Sequence, residues 1–393
     1  MQTALKYKLA EDTIDKEDLA DMISWLQGEP WLTMGPLVKE FEQKWSSWLG
    51  TRHSCYVNSG SSANLLMYYT LMCSGRLKNN KVIVPAVSWA TSVAPALQLG
   101  FEPIMCDAEE TTFGLCPVQL ERLLEEHQPG AVLLVHVLGV PCQMDKIMAL
   151  KEKYGFFLME DTCASMGSQY DNRLVGTFGE LSSFSLYFGH HLSTMEGGMV
   201  STNDDQFQEI LLHLRSHGWA KDLSPEREAE LAKEVGALDF NRRFTFYYPG
   251  FNVRATDLQA RFGLRQMLKI PQVFARRTEN HRIYQEELRG VEGLHFARNE
   301  NAVICSIAFS ALATDTEQRS RIAAHLATHG AETRPLGGGN MSRQPFWKNR
   351  YGSQVFSVAD RIHDCAFQLP NHPSLSTEDV RSICKIVREA IQG

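Results

Sequence analysis

The sequence predicts an α/β fold: a large domain built on a mostly parallel sheet, followed by a smaller α+β C-terminal domain. Three observations carry this reading. Runs that are apolar throughout, KVIVPA (81–86), EPIMCD (102–107), AVLLVHVLG (131–139) and FFLMED (156–161), alternate with helical stretches at 92–99, 117–126 and 144–153. Strands buried on both faces under crossover helices read this way. The chain has 393 residues, 44% of them hydrophobic, enough for two cores. Beyond a helical pattern that runs from about Asp257 toward Leu288, the character changes to GLHFA, AVICSIAFSA, a helix at 315–329 and a final helix at 376–391, so the domains are expected at 1–255 and, with the linking helix, 256–393.

The elements follow in order. Over 12–28, Ile14, Leu19, Met22, Ile23 and Leu26 recur at helical spacing, and Gly28 and Pro30 end the run. Gly35-Pro36 opens a second amphipathic helix carrying Val38, Phe41, Trp45 and Leu49 on one face. His53–Val57 reads as a strand entering Asn58-Ser59-Gly60-Ser61-Ser62-Ala63-Asn64 and the apolar helix LLMYYTLM. Small residues between strand and helix let free backbone N–H groups converge on an anion, helped by the helix dipole. A plain N-cap explains the same residues. Ligands of parallel sheets gather beyond the carboxyl ends of the strands, where Trp89, Asp107, His136 and Asp161 lie. Asp161 ends a buried run, so its charge needs a cation or several donors. A cap on the next helix is the competing reading.

The stretch Ser182–Gly198, SSFSLYFGHHLSTMEGG, holds the adjacent His190 and His191, and no lysine occurs between Lys153 and Lys221. A histidine there moves protons near neutrality. Residues 199–219 then read as strand, turn and helix. His213 and His217 stand four apart, but no carboxylate or cysteine pattern accompanies them, so no metal site is expected. The charged stretch 221–243 reads as a surface excursion, and the helical pattern from Asp257 to Leu288 is split or kinked at Pro271.

A net charge of -7 argues against a nucleic-acid partner. Nine cysteines without a CxxC pair read as reduced core thiols. The first residues are charged and lack a signal-peptide apolar core, and no run is long and apolar enough to span a bilayer. A cytoplasmic enzyme with no membrane partner is expected.

TMGPLVKEFE, VNSGSSANLL, VPAVSWAT, HVLGVPC, MEDTCASMGS, the SFS…EGG segment, PGFNVRATDLQA and ETRP stand in this order over nearly the whole chain. Together they resemble the sugar aminotransferases of the DegT/DnrJ/EryC1/StrS family, pyridoxal-phosphate (PLP) enzymes of fold type I. In that family a lysine six residues before the glutamate of EGG bonds to the cofactor. Here that position is His190, so the chain is similar to the family's lysine-less branch.

The resemblance implies PLP or pyridoxamine phosphate (PMP) as cofactor. Trp89 would lie over the ring, Asp161 would meet the pyridine nitrogen, and Gly60, Ser61 and Ser185 would hold the phosphate. Asn252 would reach that phosphate from the partner subunit, which implies a homodimer with shared active sites. Arg254, Arg334 and His217 would face the substrate, with surface or interface ion pairs as the competing reading for the two arginines. His190 would be the catalytic acid/base. The implied reaction is 3-dehydration of a nucleotide-linked 4-keto-6-deoxy sugar to a 3,6-dideoxy-4-keto sugar, with L-glutamate regenerating PMP. Ala164 and Lys221 depart from the branch's acidic residue and arginine, which leaves nucleotide and sugar open. A nucleotide-sugar aminotransferase and a non-catalytic PLP-binding relative are the alternatives. An iron–sulfur branch needs a cysteine cluster, and only Cys305, Cys365 and Cys384 lie beyond residue 163.

Overall fold

The computed structural model describes residues 5–392. In chain order the strands are β1 (His53–Val57), β2 (Lys81–Pro85), β3 (Glu102–Cys106), β4 (Ala131–Val135), β5 (Phe157–Asp161), β6 (Gln169–Tyr170), β7 (Arg173–Leu174), β8 (Leu181–Ser185) and β9 (Gly198–Thr202). Then follow β10 (Leu294–Phe296), β11 (Ala302–Val303), β12 (Ala308–Ala313), β13 (Arg334–Pro335) and β14 (Ala366–Pro370).

The central sheet runs β1-β9-β8-β5-β4-β2-β3. Pairs β2–β3, β2–β4, β4–β5 and β5–β8 are parallel, and β9 alone runs against its neighbours β8 and β1. The predicted α/β sheet is therefore present. Its order reverses between β2 and β4, because the chain first steps outward to β3, and such a reversal opens a crevice at the carboxyl ends.

The second sheet, β10-β12-β14-β13, is antiparallel. It shares a core with helices Ile270–Leu288, Thr316–Thr328 and Thr377–Gln392 through Tyr284, Phe309, Leu326 and Val387. Tyr7 is buried in that same core and bridges Ala331. Conversely, Leu336, Met341, Trp347 and Ile362 pack into the core of the large sheet. The pattern after Asp257 splits into Asp257–Met267 and Ile270–Leu288, with Pro271 in the first turn of the second helix, where its missing N–H costs nothing.

Long-range caps join the motifs. The Asp257 carboxylate accepts from the amides of Gly35, Leu37 and Val38 at 2.8, 3.2 and 3.0 Å, capping helix Pro36–Leu49. A Cβ at residue 35 would stand 2.8 Å from Oδ2 of Asp257, so TMGP and RATDLQA need each other. Helix Lys16–Leu26 is closed by an Asp15–Asp18 capping box. Of its apolar stripe Met22 is buried, while Leu19 and Ile23 are 49% and 60% exposed.

Two of the four strand-end residues serve the framework. Asp107 accepts from the amides of Val358 and Ala359 at 3.2 and 2.8 Å and so caps helix Ser357–Cys365. Nε2 of His136 lies 3.2 Å from Glu160, both fully buried, and Glu160 also accepts the amides of Gly176, Phe178 and Gly179. Trp89 and Asp161 remain. All nine cysteines are free, and among the described residues no helix is long and apolar enough to cross a membrane.

Candidate active site

The carboxyl ends of β1, β2, β5 and β8 build the site. β1 runs into helix Gly60–Cys73, whose N-cap Ser59 accepts from the amide of Ser62 at 3.1 Å. The cap expected from the sequence is thus real, and it leaves the first-turn amides of Gly60 and Ser61 without an intrahelical acceptor. Ser61 Oγ donates to Thr91 Oγ1 at 2.9 Å, which ties this helix start to that of Ala90–Gln98, N-capped by Trp89. Two positive helix ends therefore meet, a setting for an anion such as phosphate.

Close backbone approach holds this cradle together. A Cβ on Gly60 would meet Cβ of Ser185 at 2.7 Å, so only glycine lets the helix start lie on the end of β8. Gly198 pairs with both Val57 and Ser185, and a Cβ there would fall 2.2 Å from the Ser59 carbonyl oxygen. The EGG turn is thereby explained: it brings β9 between the phosphate-type loop and Ser185.

Asp161, 4% exposed, accepts from Asn64 Nδ2 at 2.9 Å, Ser92 Oγ at 2.6 Å and the Cys163 amide at 3.0 Å. Asn64 is itself oriented by Ser183, which donates to its Oδ1 at 2.6 Å. A carboxylate offers about four acceptor sites, so one stays free. Among the described residues no Lys or Arg pairs with it, and a buried carboxylate without a cation suits a protonated ring nitrogen. Asp161 begins no helix, which disposes of the cap reading.

His190 is joined to this carboxylate through one turn. Its Nδ1 lies 2.6 Å from the Cys163 carbonyl, and a carbonyl only accepts, so Nδ1 carries the proton and Nε2 the free lone pair. Burial holds the imidazole below its usual pKa; the positive charge of Arg277 acts the same way, against the Cys163 carbonyl and Asp161. The ring is therefore a neutral base near neutrality. Its backbone carbonyl accepts from Nη2 of Arg277 at 3.0 Å. Arg277, fully buried, also donates to the carbonyls of Ile307 (3.1 Å) and Asn371, and burial pulls its pKa down to about 10.

The neighbouring His191 turns away. Its Nε2 donates to the Cys305 carbonyl at 2.7 Å, its ring sits edge-on to Phe274, and burial holds its pKa well below the usual value. It fastens the segment to the stretch that leads into β12.

The other expected residues divide into two groups. Trp89 leaves its indole 61% exposed, a face open to a flat ring. Asn252 bridges Ser216, and its Oδ1 accepts from Arg254 Nε at 3.0 Å. Arg254 bridges Val57 beside the cradle, and its guanidinium lies 5.9 Å from the Trp219 ring centre. His217 meets Trp219 edge-on at 5.0 Å, and the ammonium of Lys221 stands 4.3 Å over the same ring. Arg334 lies apart on β13, exposed and paired with Glu332 at 2.7 Å, which is the surface ion pair of the competing reading. Sequence reasoning missed the roles of Asn64, Ser92, Ser183, Thr91 and Arg277. Asn64, Thr91 and Ser183 carried a signal, since each lies inside a motif already singled out, and Ser92 directly follows one; Arg277 had none.

Two converging helix N-termini, a buried carboxylate lacking a cation and an exposed indole together fit pyridoxal phosphate. Comparison with known proteins agrees. The model of the DegT/DnrJ/EryC1/StrS aminotransferase family matches residues 12–388. The GDP-4-keto-6-deoxy-D-mannose 3-dehydratase of Yersinia pseudotuberculosis is 30% identical, covering 98% of this chain and 99% of its own. The GDP-perosamine synthase of Escherichia coli O157:H7 is 27% identical over 90% of each. The solved E. coli GDP-4-keto-6-deoxy-D-mannose 3-dehydratase with bound hydrated PLP superposes with a TM-score of 0.88 at 28% identity, covering 98% of this chain and all of its own. A further structure of a GDP-4-keto-6-deoxymannose 3-dehydratase holds a trapped PLP–glutamate geminal diamine. The PLP cofactor and the fold expected from the motifs are both borne out, and the chain belongs to the DegT/DnrJ/EryC1/StrS aminotransferase family.

Proposed function

We propose that the protein is a PMP-dependent 3-dehydratase of nucleotide-linked 4-keto-6-deoxy sugars, with L-glutamate as the amino donor. The observation that carries this reading is His190, a half-buried neutral imidazole fixed through Cys163 to the turn of Asp161, at the position where the family resemblance calls for a lysine. When bound, PMP supplies an amine for the sugar ketone and an electron-withdrawing ring, so that the hydroxyl at the neighbouring C3 can leave. Asp161 keeps the ring nitrogen protonated. The amides of Gly60 and Ser61, with Ser185, hold the phosphate, and Trp89 covers the ring. Nε2 of His190 accepts a proton in the elimination and returns one to the departing oxygen. A histidine gives basicity without covalent capture, and this favours loss of oxygen over amination.

The protein acts as a cytoplasmic homodimer in this account. Phe240 and Phe244 are 94% and 72% exposed, and the apolar side chains Leu19 and Ile23 also face outward. A second copy would cover them, and Asn252 would reach the partner's phosphate with its free Nδ2. Arg254 and His217, with Trp219, would present cation and ring to the nucleotide.

A transaminase reading rests on relatives such as the GDP-perosamine synthase, and it requires a lysine at the cofactor. The discriminating experiment supplies PMP-loaded protein with GDP-linked and other 4-keto-6-deoxy sugars plus glutamate. Ammonia released in step with sugar consumed is expected. Glutamate consumed without ammonia, with an amino sugar formed, would overturn the proposal.

A further inference from the structure

Three ligand-type side chains meet in the second domain, none of them part of the cofactor site. His325 lies in the last turn of helix Thr316–Thr328, His329 is that helix's C-cap, and Glu389 lies near the end of helix Thr377–Gln392. One ligand atom of each lies within 4.8 Å of the other two. The two imidazole centres are 4.3 Å apart, and Nε2 of His325 stands 3.8 Å from Oε2 of Glu389. That separation is too long for a hydrogen bond. Nε2 of His325 is sealed from solvent, yet it makes no hydrogen bond at all. A buried polar atom without a partner asks for an explanation.

The outer contacts are those of a ligand set. Nδ1 of His329 lies 2.8 Å from the His325 carbonyl, which only accepts, so Nδ1 carries the proton and Nε2 keeps its lone pair. Ligating imidazoles are commonly oriented in this way. The carboxylate of Glu389 divides its oxygens: Oε1 faces Lys385 at 3.8 Å, and Oε2 faces His325.

We propose that His325, His329 and Glu389 bind a divalent transition metal of the zinc class, with water completing the coordination. Two imidazoles and one carboxylate suit Zn²⁺, Co²⁺ or Ni²⁺ and not Mg²⁺ or Ca²⁺. Ligand atoms around Zn²⁺ stand about 3.3 Å apart, given bonds of about 2.0–2.2 Å. Glu389 is exposed, and rotation of its side chain toward the two imidazoles closes the remaining gap. The metal joins two helices that already share Ile322, Leu326, Ile383 and Val387, so it stabilises the second domain by mass action. Nothing in the reaction depends on it.

The test uses the PLP-loaded full-length protein, stripped with chelator and titrated with ZnCl₂ in a calorimeter, beside H329Q, E389Q and the control H295Q, which alters an exposed histidine elsewhere. One Zn²⁺ per chain with a raised melting temperature is expected, and both are lost when chelator is returned. H329Q and E389Q should each weaken binding by at least about tenfold, while H295Q and MgCl₂ change nothing. Melting of each variant in chelator shows that it folds. Absence of stoichiometric binding, or wild-type affinity in both ligand variants, overturns the site.

Discussion

Replacing His190 by asparagine isolates the proton-transfer role. In the native protein Nδ1 of His190 donates to the Cys163 carbonyl at 2.6 Å, and Arg277 grips residue 190 by its backbone carbonyl. An asparagine amide still offers an N–H to Cys163, and the Arg277 contact does not involve the side chain. The turn leading to Asp161 should survive, with a stability change within about 1 kcal/mol. What disappears is the Nε2 lone pair. A positioned general base contributes about 10²–10⁴-fold, or about 3–5 kcal/mol of barrier. The assay is rapid-quench single turnover with PMP-loaded protein and the best keto-sugar nucleotide, alongside an absorbance titration of the cofactor. Turnover should fall by that factor with cofactor affinity kept. A variant that turns over at the wild-type rate would place the base elsewhere.

Four further outcomes follow from the same geometry. Arg277→Met removes a positive neighbour that keeps His190 neutral, so the acid limb of the rate–pH profile should move to higher pH; an unmoved limb together with a lowered melting temperature would reduce Arg277 to a clamp. Gly60→Ala places a Cβ 2.7 Å from that of Ser185, and melting with and without PLP should show a loss of about 1–3 kcal/mol and a smaller gain from the cofactor. Mixing His190→Asn with Asn252→Ala subunits should restore about a quarter of wild-type activity if sites are shared across a two-fold dimer; no recovery beyond the separate variants would argue for self-contained sites. Stability should also fall on acidification. Burial depresses His191, His281 (to about 3) and His372 (to about 4), so their contribution is complete above the unfolded value near 6.5 and is lost as pH drops toward the folded values. Denaturation midpoints equal at pH 7.5 and pH 5 would contradict this.

The sheet could be read ahead of the structure because β2 to β5 are apolar throughout and separated by helices of ordinary length. The reversed direction of β9 could not, since MVST carries no sign of direction; its place is set by Gly198 packing on Ser59 and Gly60. Asp161 stood out as a carboxylate ending a buried run, but the donors that hold it come from Asn64 and Ser92, far away in sequence. The same distance hid Arg277, an ordinary arginine on a helix until Ile307, Asn371 and His190 close around it. Asp107 and His136 shared the strand-end signal of Asp161, yet one caps a distant helix and the other pairs with Glu160. Position at a strand end marks where a site can form; the contacts made there decide which residues belong to it.

The most direct measurement is a proton NMR spectrum of the sugar product after turnover with glutamate. The account predicts new methylene protons at C3 and a ketone or its hydrate at C4. A product with oxygen still on C3 and an amine on C4 would contradict it.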